Sequence, residues 1–131
     1  MTALTRFLYP VPAPRSIGSI IRWWERRRLS YNLVVGAAGL VMLFVVRILG
    51  RLPPGSHDAL PSGSIMGAYA LFANLCYTSG WALEGMANAV FGDELLPFGP
   101  SLFRQGLLFS VELTVLPIVV AAIQWAVRLV A

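Results

Sequence analysis

The stretch Leu33–Val46, LVVGAAGLVMLFVV, decides the fold class, because its fourteen residues include no polar side chain. Arg47 and Arg51 follow it, and Pro53-Pro54 disfavours any continuation of a helix. With its neighbours, this run reaches the length of about 20 residues that a helix needs to cross the hydrocarbon core of a bilayer. The sequence therefore predicts a membrane-spanning helix over residues 32–50.

The composition extends this prediction to the whole chain. Of its 131 residues, 57% are apolar and 12% are charged, whereas soluble domains average about 45–50% and about 25%. Two further apolar blocks predict spans over residues 65–87 and 102–130. We therefore expect an all-α integral membrane protein, in which residues 17–131 form one domain of three transmembrane helices preceded by an amphipathic interfacial helix.

The segment ahead of the first span has two parts. Residues 1–16 include Pro10, Pro12 and Pro14 in alternation with small apolar residues, which favours an extended strip. Residues 17–31 combine apolar side chains at helical spacing with Arg and Trp, a pattern typical of a helix at the lipid headgroups. An arginine cluster can also indicate nucleic acid, but its position before a span favours lipid, so we expect no nucleic-acid partner. The residues expected to anchor this helix at the membrane surface are Arg22, Trp23, Trp24, Arg26, Arg27, Arg28 and Tyr31.

The distribution of arginines predicts the orientation of the chain. Six Arg precede the first span, and two, Arg47 and Arg51, lie at its far end. Because basic residues concentrate on the cytoplasmic side of a membrane, the N-terminus is expected in the cytoplasm. Three crossings would then place the C-terminus on the periplasmic side.

The spans contain small and polar residues that predict contacts between helices. In span two, spacings of three and four residues place such side chains on one face, as in the seam of a packed helix. Gly36 and Gly39 in span one leave room for another helix to approach closely. A polar cavity shared with Glu112 is the functional alternative to this structural interpretation. The face of span two consists of Gly67, Ala70, Asn74, Tyr77, Trp81 and Glu84.

Glu112 is the main candidate for a functional group inside a span. It lies ten residues into span three, where an acidic side chain costs about 2.5–3.5 kcal/mol on insertion scales. Gln105 precedes it by seven residues and therefore lies on nearly the same helical face. Four roles stay open for Glu112: to carry a proton, to bind a cation, to pair with an arginine, or to join two helices through a hydrogen bond.

The sequence offers no catalytic arrangement. One His and one Cys are too few for a disulfide framework or a His/Cys metal site, and no nucleophile–base pair or glycine-rich phosphate loop is evident. His57 is expected in a solvated Pro/Gly-rich loop and Cys76 in an apolar span, where a thiol is unreactive. We therefore expect no enzyme activity, no bound cofactor and no soluble substrate, although a bound lipid or contact with a partner's pigment is compatible with the sequence.

Three strings stand out along the chain: RWWERRRLSYN at Arg22–Asn32, ANLCYTSGW at Ala73–Trp81 and FRQGLLFS at Phe103–Ser110. Together they resemble a family of small uncharacterised bacterial inner-membrane proteins, in which a WWExRRLxYN-type sequence leads into the first transmembrane helix. The resemblance covers most of the chain from about Ile20 onward. It implies a three-span protein of the bacterial inner membrane and no known activity, and the proline-rich start lies outside it.

The leading functional hypothesis is a non-catalytic accessory subunit that braces a larger multi-subunit membrane complex through helix packing. A respiratory or photosynthetic energy-transducing assembly is the expected host, with other integral membrane subunits and lipids as partners. A small chain without a catalytic set of residues, polar helix faces and a surface helix all indicate such a role. The alternative is a small homo-oligomeric transporter or proton channel that uses Glu112 and Glu84.

Overall fold

The computed structural model contains three helices and no strand in the part of the chain that it describes. The predicted all-helical fold is therefore confirmed for these residues. Most of the extended strip expected at the N-terminus (residues 1–15) and the loop expected around His57 lie outside them. The described residues are 16–54, 61–92 and 98–130.

The helices are α1 (Ile17–Arg51), α2 (Gly63–Phe91) and α3 (Gly99–Val130). α1 begins at a capping box formed by Ser16 and Ser19. The Ser16 hydroxyl accepts the Ser19 N–H at 3.2 Å, and the Ser19 hydroxyl accepts the Ser16 N–H at 3.1 Å. Because the first N–H groups of a helix have no partner within it, this reciprocal pair fixes the start of α1.

Prolines and a glycine stand where two of the helices end. α1 ends before Pro53 and Pro54, which have no backbone N–H to continue its hydrogen bonds. α2 ends before Gly92, whose φ of 61° belongs to a region that glycine adopts without steric cost. Pro117 lies inside α3 and removes one backbone hydrogen bond without ending the helix.

The structure differs from the sequence prediction in the first helix. The expected interfacial helix (17–31) and first span (32–50) form one continuous helix of 35 residues, about 52 Å long at 1.5 Å per residue. No glycine or proline occurs between Gly18 and Gly36, so nothing in the backbone interrupts the helical hydrogen bonds at the predicted boundary. The N-terminal part of α1 therefore belongs to the bundle and is not a separate surface helix.

The three helices meet fully at only one end of the bundle. α1 and α3 run parallel and stay in contact along most of their length, and the Arg128 side chain donates to the Leu49 carbonyl at 3.2 Å near their C-termini. α2 runs antiparallel to both and packs mainly through its second half. We call one end closed: residues 17–35 of α1, 73–91 of α2 and 99–110 of α3. We call the other end open: residues 36–51 of α1, 63–72 of α2 and 113–130 of α3.

The outer surface of the bundle is strongly apolar. Among the described residues, α1 and α3 are each long and apolar enough to cross a membrane, and only 11% of the most apolar 18-residue window of either helix is buried. The third predicted span, α2, does not meet the same test, because Asn74, Thr78 and Glu84 lower its hydropathy. Two candidate membrane-spanning helices are therefore present, and a third crossing stays a prediction.

Candidate functional site

Trp24 lies at the centre of the closed end. It is 2% exposed, and its ring meets the rings of Tyr77 and Phe103 edge-on, with centroids 5.3 Å and 6.0 Å away. Gly80 of α2 faces the indole so closely that a Cβ there would lie 2.8 Å from it. Aromatic rings attract each other in this edge-on geometry because the positive edge of one faces the negative face of the other. Trp24 thus joins α1 to both other helices.

The indole of Trp24 also donates a hydrogen bond to Glu84. Nε1 lies 2.7 Å from Oε2, and Glu84 is 3% exposed. The carboxylate lies against Gly99, the first residue of α3, where any side chain would overlap it. Because a helix N-terminus has a partial positive charge and unpaired N–H groups, it favours a carboxylate there. One glutamate from α2 is therefore bound by α1 and lies at the start of α3.

The sequence prediction placed Glu84 on the packed face of α2 but did not pair it with Trp24. It also did not single out Gly80 and Gly99, the two residues without side chains that make room for this pair. A signal for the pair exists in the sequence, since a buried indole N–H needs an acceptor and the predicted seam of α2 contains one carboxylate.

Three tyrosines connect the helices along the bundle. The Tyr77 hydroxyl donates to the Trp24 carbonyl at 2.5 Å, and the Tyr31 hydroxyl lies 2.7 Å from Ser110 Oγ. Tyr69, further towards the open end, bonds to Thr114. A hydroxyl buried without a partner costs about 1–3 kcal/mol. Each of these bonds therefore favours one position of a helix along the axis of its neighbour.

Of the seven residues expected to anchor a surface helix, Trp23 and Arg28 are half-buried, and the other five divide into two groups. Arg22 and Arg26 are exposed, as that expectation requires. Trp24, Arg27 and Tyr31 are buried in the bundle, so their side chains pack within the protein, and a position of this end at the membrane surface stays a prediction. A stripe of aromatic and basic residues suits a lipid interface and a helix-packing face equally well, which is why the sequence did not reveal this packing.

The guanidinium groups of two of these arginines contact other residues of the chain. The Arg27 guanidinium lies 3.9 Å above the Trp23 ring and donates to the Trp23 carbonyl at 3.1 Å. Arg28 makes two hydrogen bonds to Glu25, at 2.6 Å and 2.7 Å, and it also reaches Thr78 at 3.1 Å. Both residues lie before the apolar run of α1, so the closed end contains a band of basic residues.

Asn32 and Asn74 form a reciprocal amide pair between α1 and α2. Each amide nitrogen donates to the oxygen of the other residue, at 3.3 Å and 3.0 Å, and Asn74 also donates to the Ala70 carbonyl. The seam predicted on α2 therefore includes a contact at Asn74, and Trp81 packs against the aromatic core on the same face. This pair marks the level at which the closed end gives way to the open end.

The remaining predicted site residues lie apart from this cluster. Gly39 faces α3, where a Cβ would lie 3.8 Å from Thr114, while nothing lies within 4 Å of a Cβ at Gly36. Gln105 and Glu112 are exposed on the outside of α3. Glu84 lies beside the first residue of α3 and Glu112 thirteen residues further on, about 20 Å along the helix axis. The structure therefore does not bring the two carboxylates into one cavity.

Two apolar cavities open between the helices at the open end. One, of about 510 Å³, lies between α1 and α2 and reaches the Asn32–Asn74 pair. The other, of about 940 Å³, is lined mainly by the second half of α3, together with the C-terminal end of α1 and Tyr69 of α2. Their walls are mainly aliphatic and suit an apolar chain. No group of three or more His, Cys, Asp or Glu that could hold a metal occurs in the described part of the chain.

Comparisons with known proteins add no identification. No protein-family model, no curated protein and no solved structure matches this chain. The resemblance of its three strings to small bacterial inner-membrane proteins therefore stays a prediction, and the function has to be argued from the geometry.

Proposed function

We propose that the protein is a non-catalytic integral membrane subunit that braces a larger membrane complex by helix packing. The observation that supports this most strongly is the apolar exterior, since the apolar windows of α1 and α3 remain almost entirely unburied in the isolated chain. Exposed apolar surface costs about 25 cal/mol per Å² in water. Lipid tails or apolar partner helices around the bundle remove this cost.

The small core of the bundle supports the same proposal. Eight hydrophobic side chains are buried among the described residues, and most of them lie at the closed end. A soluble domain buries its most apolar helices, whereas here many large apolar side chains of all three helices are exposed. Such helices favour a membrane, where packing relies on close contacts and hydrogen bonds instead of a water-driven core.

We further propose a bacterial inner-membrane location with the N-terminus in the cytoplasm, on the basis of the arginine distribution. An energy-transducing assembly of the respiratory or photosynthetic type is the proposed host. Several polar groups at the closed end, among them Glu84, Tyr31 and Tyr77, join one helix to another, which suits a bracing role better than catalysis. A transporter or channel has less support, because Glu84 and Glu112 line no common cavity among the described residues.

The test is to extract the tagged chain from native membranes in a mild detergent. The proposal predicts that it stays in the membrane fraction after an alkaline carbonate wash and migrates on native electrophoresis in a discrete assembly far above its own 14.3 kDa. Mass spectrometry of that band should find the same integral membrane subunits in each preparation. Migration as a lone monomer, or release by the carbonate wash, would contradict the proposal.

A further inference from the structure

We infer that the outer face of α3 around Glu112 is a docking surface for a transmembrane helix of a partner subunit, one that places an arginine or lysine side chain at the same depth of the bilayer. This inference rests on the proposed function, because it requires a membrane around the bundle. It adds which face meets the partner and which chemistry the partner offers.

Glu112 points away from the other two helices. The face of α3 that contacts them includes the buried residues Phe103, Ser110 and Thr114. With 3.6 residues per turn, Glu112 lies about 200° around the helix from Ser110 and from Thr114, on the opposite side. It is exposed, and it lines neither of the two cavities at the open end.

The surface around Glu112 is apolar. One turn away on the same face lie the exposed side chains of Leu108, Phe109 and Leu116. Glu112 is the fourteenth of the 32 residues of α3, so in a spanning helix it lies near the middle of the bilayer. A carboxylate at this depth costs about 2.5–3.5 kcal/mol on insertion scales, and an apolar partner face would leave that cost in place.

The described part of this chain supplies no counter-charge for Glu112. No hydrogen bond or ion pair reaches its carboxylate from any described residue. Arg104 and Arg128 are eight and sixteen residues away along α3, which corresponds to about 12 Å and about 24 Å. Arg28 of α1 is bound to Glu25. The partner must therefore bring the cation.

Charge complementarity also decides between a partner subunit and a second copy of this chain. Two copies related by a twofold axis along the membrane normal would place their two Glu112 carboxylates side by side. Two adjacent negative charges repel each other. An arginine or lysine instead forms a charge-assisted hydrogen bond with the carboxylate.

One neighbouring residue extends the same surface. Gln105 is exposed seven residues before Glu112, on the same side of α3, and offers amide hydrogen bonds to the same partner helix.

The test reconstitutes the full chain in phosphatidylcholine vesicles with a model transmembrane peptide. The peptide is a polyleucine helix of about 25 residues with one central arginine, and its control has leucine at that position. Energy transfer between a donor on the protein N-terminus and an acceptor on the peptide reports association. We expect the arginine peptide to bind on the order of ten-fold more tightly than the leucine peptide, since such polar contacts are worth about 1–2 kcal/mol in model helices.

Matched variants assign this preference to the proposed surface. Glu112→Gln should abolish the preference for the arginine peptide while the near-ultraviolet circular dichroism of the aromatic core stays unchanged. Glu25→Gln makes the same chemical change at an exposed carboxylate of α1, outside this surface, and should leave the preference intact.

Three results would overturn the inference: equal binding of both peptides, equal loss in the two variants, or self-association of the chain that depends on Glu112. Flotation of the vesicles separates these results from a failure of the proposed function. A chain that does not float with the vesicles overturns both, whereas a chain that floats but shows no preference overturns only the docking surface.

Discussion

The closed and open ends of the bundle use the same three helices in different ways. At the closed end, Trp24 and Glu84 meet α3 through an indole, a carboxylate and a helix N-terminus, and the cavity among the side chains there is small, about 130 Å³. At the open end, α2 diverges and leaves two apolar cavities, while α1 and α3 remain joined by Arg128. The chain therefore concentrates most of its own specific packing in one half of the bundle.

For the proposed membrane location, this difference shows how a small helical bundle can be well defined without a large core. In lipid, apolar helices gain little from contacting each other rather than lipid tails, so close packing and hydrogen bonds decide their arrangement. The closed end combines close packing with hydrogen bonds, whereas the open end has hydrogen bonds between helices but larger cavities. Substitutions at the closed end should therefore change stability strongly, and equivalent substitutions at the open end should not.

The largest expected effect is that of Trp24→Ala. Removing a fully buried aromatic side chain leaves a cavity and costs about 3–5 kcal/mol, and here it also removes the donor to Glu84. Unfolding in mixed micelles with increasing dodecyl sulfate, followed by circular dichroism, measures the free energy of unfolding. Leu40→Ala, at an exposed position of α1 near the open end, is the control and should change it by less than about 0.5 kcal/mol. Similar losses for both variants would show that the closed end is not special.

Glu84→Ala should have the next largest effect. It leaves the Trp24 N–H without its acceptor and removes the negative charge beside the first residue of α3. Hydrogen bonds to charged groups are worth about 1.5–3 kcal/mol, so a loss of that size is expected in the same unfolding experiment. Glu25→Ala removes a carboxylate that forms an exposed ion pair and should cost far less. If Glu84→Ala leaves the free energy of unfolding unchanged, the contact of Glu84 with Trp24 and with the start of α3 does not hold the three helices together.

The same substitution, glycine to alanine, can be compared at a packed position and at an open position. Gly80→Ala places a methyl group against the Trp24 indole and should cost about 1–3 kcal/mol through overpacking. Gly36→Ala meets open space, and because alanine favours a helix over glycine by about 0.5–1 kcal/mol, it should leave stability equal or higher. The unfolding midpoints of the two variants measure this difference, and a drop at Gly36 as large as at Gly80 would contradict the described geometry.

Much of the fold could be predicted because helix boundaries depend on local chemistry. Pro53-Pro54 marks the end of α1, and the spacing of Tyr77, Trp81 and Glu84 marks the packed face of α2. Neither prediction requires knowledge of another helix. The described helices therefore agree with the sequence over most of their length.

The rest could not be predicted, because it depends on how one helix is rotated against another. A tryptophan and arginine stripe fits the lipid interface as well as a bundle core, and only the position of α2 shows that Trp24 and Arg27 are buried. In the same way, Gln105 and Glu112 share a face by spacing, but the sequence does not say whether that face points inward. The structure places it outward.

The smallest expected effect concerns the Asn32–Asn74 pair, where the two ends of the bundle meet. Polar contacts between membrane helices average about 0.6 kcal/mol in double-mutant cycles. The cycle Asn32→Leu, Asn74→Leu and the double variant should give a coupling energy of that order. A value near zero would mean that the two amides bond to lipid or water in the membrane rather than to each other.

The central claim is that α1 crosses a membrane as one continuous helix within this bundle. In a Cys76→Ser background, which removes the only cysteine, Ser16→Cys and Arg51→Cys place single thiols at the two ends of α1. Labelling with a membrane-impermeant maleimide in sealed vesicles of both orientations reads the side on which each thiol lies. We predict that position 16 reacts only from the cytoplasmic face and position 51 only from the opposite face. Reaction of both thiols from the same face would contradict the account.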